Sequence, residues 1–279
     1  MIIDVHAHAY PERIVKKIAD RMERVSGCKV DADGTPVGLV ESMERAGVDY
    51  SVFLPLATNP KQVGKLNAQA IQFMEQFGER GLISFATVHP DTDNLGEVLQ
   101  GIRNAGLRGI KIHPDYQDTY FDDIRYMRIV DAASEQGLYV LVHAGVDEVY
   151  PKEVHCDVRR ILNVIETVGS NRLILAHMGG WQMWEEVEKY VCGAPVYFDT
   201  AFSLTGTVSV ENNGMFGAML DNGAFVRLVR KHGAEKILFG SDPPWSSQQD
   251  NVEWIKNCSL TEAEKRMILG ENAAGILHI

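Results

Sequence analysis

Eight short apolar runs, at about 2–6, 50–56, 82–88, 108–112, 139–143, 172–176, 195–199 and 236–240, alternate along the whole chain with segments of helical periodicity. Short runs rich in Val, Ile, Leu and Phe are what parallel strands buried on both faces look like. Between them, Leu95, Val98, Leu99 and Ile102 fall three and four residues apart, as do Val158, Ile161, Leu162 and Ile165, the spacing of an amphipathic helix. Gly47, Gly106, Gly137, Gly169 and Gly233 each stand just before the next run, where a helix ends in the left-handed conformation that glycine adopts freely. Eight βα units predict one α/β domain over 1–279, a (β/α)8 TIM barrel. Thr261-Glu262-Ala263-Glu264 reads as a capping box opening a C-terminal helix over 261–277. An open doubly wound sheet is the alternative architecture.

The ends of the runs decide between the two. His6 and His8 close the first run, Lys111 and His113 the fourth, His143 the fifth, His177 the sixth and Asp242 the last. Residues two apart in a strand point to one face, so His6 and His8 converge as two ligands of one divalent metal must. Metal-type residues on the first and last strands can meet only if those strands are neighbours, which favours the closed barrel. Active sites of such barrels sit at the C-terminal strand ends. Two long excursions follow strand ends, 9–35 with the turn signal Asp31-Ala-Asp-Gly34, and the Gly-, Ser-, Thr- and Asn-rich 203–223; both are expected as loops, and as lids or plain surface in equal measure.

With 279 residues the chain can bury a large core. A formal net charge of −11 and the absence of a basic cluster argue against nucleic acid as a partner. No apolar run nears the ~20 residues of a membrane span, and the N-terminus enters a strand without a signal-type segment. Four scattered cysteines, Cys28, Cys156, Cys192 and Cys258, suit a reduced, cytoplasmic protein. A small molecule is the expected partner, with self-association into a homo-oligomer left open.

Asp4-x-His6-x-His8, Gly109-Ile-Lys-Ile-His-Pro114, Val142-His143-Ala-Gly145, Ala176-His177-Met-Gly-Gly180 and Phe239-Gly-Ser-Asp-x-Pro244, in that order, resemble the amidohydrolase superfamily. They look most like its amidohydrolase-related branch, which includes metal-dependent hydrolases and enzymes like aminocarboxymuconate-semialdehyde decarboxylase. The resemblance spans essentially the whole chain and is specific for the superfamily but not for substrate. It implies a divalent metal, expected as one Zn²⁺, held by His6, His8, His143 and Asp242. His177 would polarise substrate or the attacking water, or bind a second metal as in binuclear members. Lys111 would be an ammonium holding a substrate carboxylate or carbonyl, or, carboxylated, a bridge between two metals.

Asp242 combines ligation with acceptance of a proton from metal-bound water, and Pro243 and Pro244 stiffen the chain after it. Asp4, on the same face, either orients a ligand imidazole or is a buried hydrogen-bonded group. His113 is expected to contact substrate or act in acid–base chemistry. His89 either lines the pocket or packs, while His155, His232 and His278 are read as surface or structural. Trp181 and Trp245 are candidate pocket walls, and Met183 and Trp184 ordinary helix residues.

The leading expectation is a metal-dependent hydrolase of a small, carboxylate-bearing amide, ester or lactone. The alternative is a metal-dependent decarboxylase of a small unsaturated or aromatic carboxylic acid. No arginine stands at a strand's C-terminal end to hold such an acid, since Arg108 precedes its run, and this favours hydrolysis. A non-catalytic metal-binding barrel is the remaining reading.

Overall fold

The computed structural model describes residues 1–27, 30–169, 171–206 and 219–279. Its strands are β1 (Ile3–Ala7), β2 (Tyr50–Phe53), β3 (Leu82–Ser84), β4 (Ala86–Thr87), β5 (Gly109–Ile112), β6 (Tyr139–Val142), β7 (Leu173–Leu175), β8 (Tyr197–Asp199) and β9 (Ile237–Leu238). They fall in the eight expected runs, the third being split at Phe85. Helices follow each run in turn, and the succession is that of a (β/α)8 fold.

By internal contacts the chain forms two compact units, one of Met1–Phe53, Phe77–Ile83 and Asp199–Ile279, the other of Leu54–Gln76 and Ser84–Phe198. In the first, β1 pairs in parallel with β2, Ile3 opposite Tyr50 and Asp4 opposite Ser51. On its other side β1 is stitched to the segment after β9: Val5 N donates to Phe239 O at 2.8 Å, Asp242 N to His6 O at 2.9 Å and His8 N to Pro243 O at 2.8 Å. Asp4 reinforces the seam. Its carboxylate accepts from the backbone N–H groups of His6 and Ser241, each at 3.0 Å, from the Ser241 hydroxyl, and from Gln248 Nε2 at 2.8 Å. Gly240 is what the close approach needs, because a Cβ there would stand 3.0 Å from His6 Cβ.

In the second unit β4 to β8 run parallel in sequence order, with Lys111 opposite Leu141, Leu141 opposite Ile174 and Leu175 opposite Phe198. Ile110, Ile112, Val140, Leu141, Val142, Ile174 and Phe198 are all buried, which is why these runs read as continuously apolar. After β6 the chain turns at Gly145 (φ +88°). A Cβ there would lie 2.2 Å from Trp181 N, and Gly145 bridges to Trp181 in parallel fashion.

The C-terminal helix begins at the expected capping box of Thr261 and Glu264, and runs as Glu262–Arg266, a wider turn Met267–Glu271, and Asn272–Leu277. The 9–35 excursion is not all loop, for it contains the helix Glu12–Ser26. Of the second excursion, 207–218 (with Asn212-Asn213-Gly214) lies outside the described residues. Asp221-Asn222-Gly223, read as loop, is the cap and first turn of the helix Asn222–His232. Among the described residues no helix is long and apolar enough to cross a membrane.

Candidate active site

The seam between β1 and the segment after β9 brings three of the expected residues together. His8 Nε2 lies 3.3 Å and His6 Nε2 3.7 Å from Asp242 Oδ1. Two imidazole nitrogens and a carboxylate oxygen converging in this way form a donor set suited to a borderline divalent cation. Asp242 holds this place at φ +67°, in the left-handed region where non-glycine residues are uncommon and aspartate is among the better tolerated. Asp199, the last residue of β8, presents Oδ2 to His6 Nδ1 at 2.9 Å, and its Oδ1 accepts from Ala201 N at 3.0 Å. Both His6 and Asp199 are fully buried. This carboxylate engages one ring nitrogen of His6 and leaves Nε2 on the side of Asp242, the arrangement that a metal-binding imidazole would need.

Asp4 therefore has the second of its two expected roles. It is a buried, hydrogen-bonded seam residue, and the imidazole-orienting carboxylate is Asp199. Burial pushes the Asp4 carboxyl up to about 6, against the pull of its four hydrogen bonds.

The second unit holds the other expected residues. His143 directly follows β6, and His177 lies two residues beyond β7 in the left-handed region (φ +58°). His177 Nε2 is 3.0 Å from His143 Nδ1, and the indole Nε1 of Trp184 donates to His177 O at 3.0 Å. Trp184, taken from sequence as an ordinary helix residue, thus fixes the turn that carries His177. The ring of His113 stacks on His143, with centroids 4.0 Å apart and planes 9° from parallel. Asp147 Oδ2 stands 3.4 Å from His113 Nε2 and 4.0 Å from His143 Nε2. Burial first, then the neighbouring His113, His177 and Lys111, holds the His143 pKa well below the ordinary histidine value, which favours the uncharged imidazole. Its buried Nε2 has no hydrogen-bond partner among the described residues, as suits a nitrogen kept for a metal.

Lys111, in β5, is buried, and its backbone O accepts from Thr87 Oγ1 at 3.0 Å. Three carboxylates beside these histidines escaped the sequence reading: Asp199, Asp147 and Asp115. Asp199 ends an apolar run, so the rule that found the histidines could have found it; Asp147 and Asp115 lie in loops and carry no such mark. His155 and His232, read as surface or structural, are both buried. The ring of His89 is also buried, with Nδ1 accepting from Asp91 N at 3.1 Å. The Trp245 ring lies 6.2 Å from that of Tyr10.

A sequence profile described as amidohydrolase matches residues 3–279. The chain belongs to the amidohydrolase family. It is therefore an enzyme of the amidohydrolase superfamily. A stretch of 122 residues is 25% identical to gamma-resorcylate decarboxylase of Polaromonas sp. (strain JS666), covering 39% of this chain and about a third (34%) of that protein's length. Among solved structures, 2,6-dihydroxybenzoate decarboxylase complexed with 2,6-dihydroxybenzoate is similar with TM-score 0.70 at 15% identity, over 100% of this chain and 99% of that one. The 5-carboxyvanillate decarboxylase of Novosphingobium aromaticivorans, with bound manganese, is similar with TM-score 0.72 at 14% identity, over 100% and 97%. At these identities the structural likeness concerns the fold.

Proposed function

We propose that this chain is a metal-dependent decarboxylase of a small aromatic carboxylic acid. The observation that carries the choice is the stretch shared with gamma-resorcylate decarboxylase, and the decarboxylases among the whole-chain structural relatives support it. The metal dependence rests on the convergence of His6, His8 and Asp242; His143 is the further ligand that the sequence pattern alone adds. A divalent cation there, with manganese and zinc both suited to these donors, would supply positive charge for the oxygens of the bound acid.

The remaining work belongs to side chains. The buried ammonium of Lys111 offers a second positive charge for the substrate carboxylate, which removes the need for a strand-end arginine and with it the reason for preferring hydrolysis. Loss of carbon dioxide leaves an electron pair on the ring carbon, and that carbon must receive one proton. Asp242 and His177 are the groups assigned to move it. His113, stacked beside His143, contacts the substrate or exchanges protons with it.

The test is to incubate manganese- and zinc-loaded protein with 2,6-dihydroxybenzoate and 5-carboxyvanillate in ¹⁸O-labelled water, with a panel of small amides and lactones alongside. Stoichiometric carbon dioxide and a phenol free of solvent oxygen are expected from at least one acid. Turnover of an amide or lactone with solvent oxygen in its product, and no carbon dioxide from either acid, would reverse the assignment.

A further inference from the structure

The turn after β5 and the loop after β6 meet in a row of aromatic rings that the proposed chemistry leaves unused. The ring of Tyr116 stands edge-on to that of His113, with centroids 4.4 Å apart and planes at 83°. The ring of Tyr150 stands edge-on to Tyr116 in turn, at 5.3 Å and 89°. Burial falls along the row: His113 is buried, Tyr116 half-buried and Tyr150 40% exposed. The rings therefore lead from a histidine of the site out to solvent.

Tyr150 is fixed in its exposed place by backbone contacts. Its loop, 145–156, is closed at the base, where Gly145 N donates to Cys156 O at 2.9 Å and Val146 N to Trp181 O at 3.0 Å. Nearer the tip, Asp147 Oδ1 accepts from Val149 N at 2.8 Å and from Tyr150 N at 3.1 Å. The other oxygen of the same carboxylate, Oδ2, stands 3.4 Å from His113 Nε2, so one side chain ties the backbone of Tyr150 to the site histidine. Glu153 accepts from the Tyr120 hydroxyl and pins the far side of the tip. A single exposed tyrosine is ordinary. One held on a pinned loop, at the end of a row of rings that starts in the site, calls for a reason.

We infer that Tyr150, backed by Tyr116, is a specificity-determining residue that recognises the ring of the substrate acid. The inference rests on the decarboxylase reading, in which His113 meets the substrate and Lys111 holds its carboxylate. Lys111, two residues before His113, is buried. The loop carries mostly the opposite sign: within 145–156, Asp147, Glu148 and Glu153 are acidic, against one lysine, Lys152. An anionic acid is thus favoured with its carboxylate toward Lys111 and its ring toward Tyr116 and Tyr150. What the loop offers that ring is aromatic surface. Aromatic pairs prefer edge-to-face or offset contacts, and rings set at right angles present both edges and faces. A tyrosine on fixed backbone also loses little conformational freedom when a ligand settles on it.

The test titrates benzoate and cyclohexanecarboxylate, two acids with the same carbon skeleton that differ in the flatness and π-electrons of the ring, into manganese-loaded protein by calorimetry. Wild type is expected to bind benzoate about threefold or more tighter than cyclohexanecarboxylate, the scale of one aromatic contact. Tyr150→Leu, which keeps apolar bulk without a ring, should lose most of that preference through weaker binding of benzoate, and Tyr150→Phe should keep it. Absence of the preference in wild type, or its persistence in Tyr150→Leu, overturns the inference. A purely structural role predicts that Tyr150→Leu weakens both acids alike, and that result overturns it as well. Carbon dioxide release from 2,6-dihydroxybenzoate and 5-carboxyvanillate is followed on the same wild-type sample. Its absence beside an intact ring preference removes the decarboxylase reading alone and leaves Tyr150 as a residue that recognises aromatic acids.

Discussion

His6 uses its two ring nitrogens for different purposes, Nδ1 for Asp199 and Nε2 for the side shared with Asp242. Asp199→Asn should therefore leave the fold intact but weaken divalent-metal affinity by about 10–100-fold, the usual cost of losing such a support. Competition against a fluorescent chelator measures this directly, and unchanged affinity would show that Asp199 is only a packing partner. Asp242→Asn keeps the shape and an oxygen donor while removing the charge that accepts a proton. A loss of at least ~10²-fold in turnover with part of the metal retained is expected, and near-normal turnover would mark Asp242 as structural. Lys111→Met separates the two states considered for that lysine. As an ammonium its loss should weaken substrate binding and spare metal content, whereas loss of half the metal would reveal a carboxylated bridge.

At the scale of elements, the strand ends are placed by close backbone contacts more than by side-chain bulk. Gly145 sits at φ +88° with the Trp181 backbone where a Cβ would go. Gly145→Ala should cost at least about 2 kcal/mol in urea unfolding, from strain and clash together; a loss under half of that would mean the turn yields easily. The eight runs and most helices were legible because buried parallel strands leave an unbroken apolar signature and helices end at glycines. The helix Glu12–Ser26 was not, since only a narrow stripe of Val15, Ile18, Ala19 and Met22 is half-buried among its described side chains, and the turn signal at Asp31 is the stronger local mark. In the site, His6, His8 and Asp242 were readable from position alone. Asp115, Asp147 and the burial of His155 were not, because their roles arise from loops that meet only in the folded chain. The preference for hydrolysis rests on the absence of a strand-end arginine, which says little where a lysine is buried in β5, and the shared stretch with a decarboxylase favours the alternative.

For the molecule as a whole, buried charges set a distinctive pH response. The Asp115 carboxyl, raised to about 6 from 3.8, binds its proton more tightly folded than unfolded. Its contribution to stability is therefore present at low pH and is lost as pH rises from about 4 to about 6. Histidines held neutral by burial, such as His143, act in the opposite sense, so the net curve of the wild type does not isolate either effect. The difference between wild type and Asp115→Asn does, and urea unfolding of the metal-free proteins should show the wild-type advantage shrinking across that window. A constant difference from pH 4 to 7 would mean that Asp115 titrates normally.

On the proposed function, carbon dioxide release from an aromatic acid depends on metal held by the His6–His8–Asp242 cluster. The most direct measurement titrates Mn²⁺ or Zn²⁺ into chelator-stripped protein while following release from a carboxyl-¹³C-labelled acid. Release should rise with bound metal and level off near one equivalent, and should be absent in a folded His6→Ala/His8→Ala protein that binds no metal. Full release from stripped protein, or from that double variant, would contradict the account.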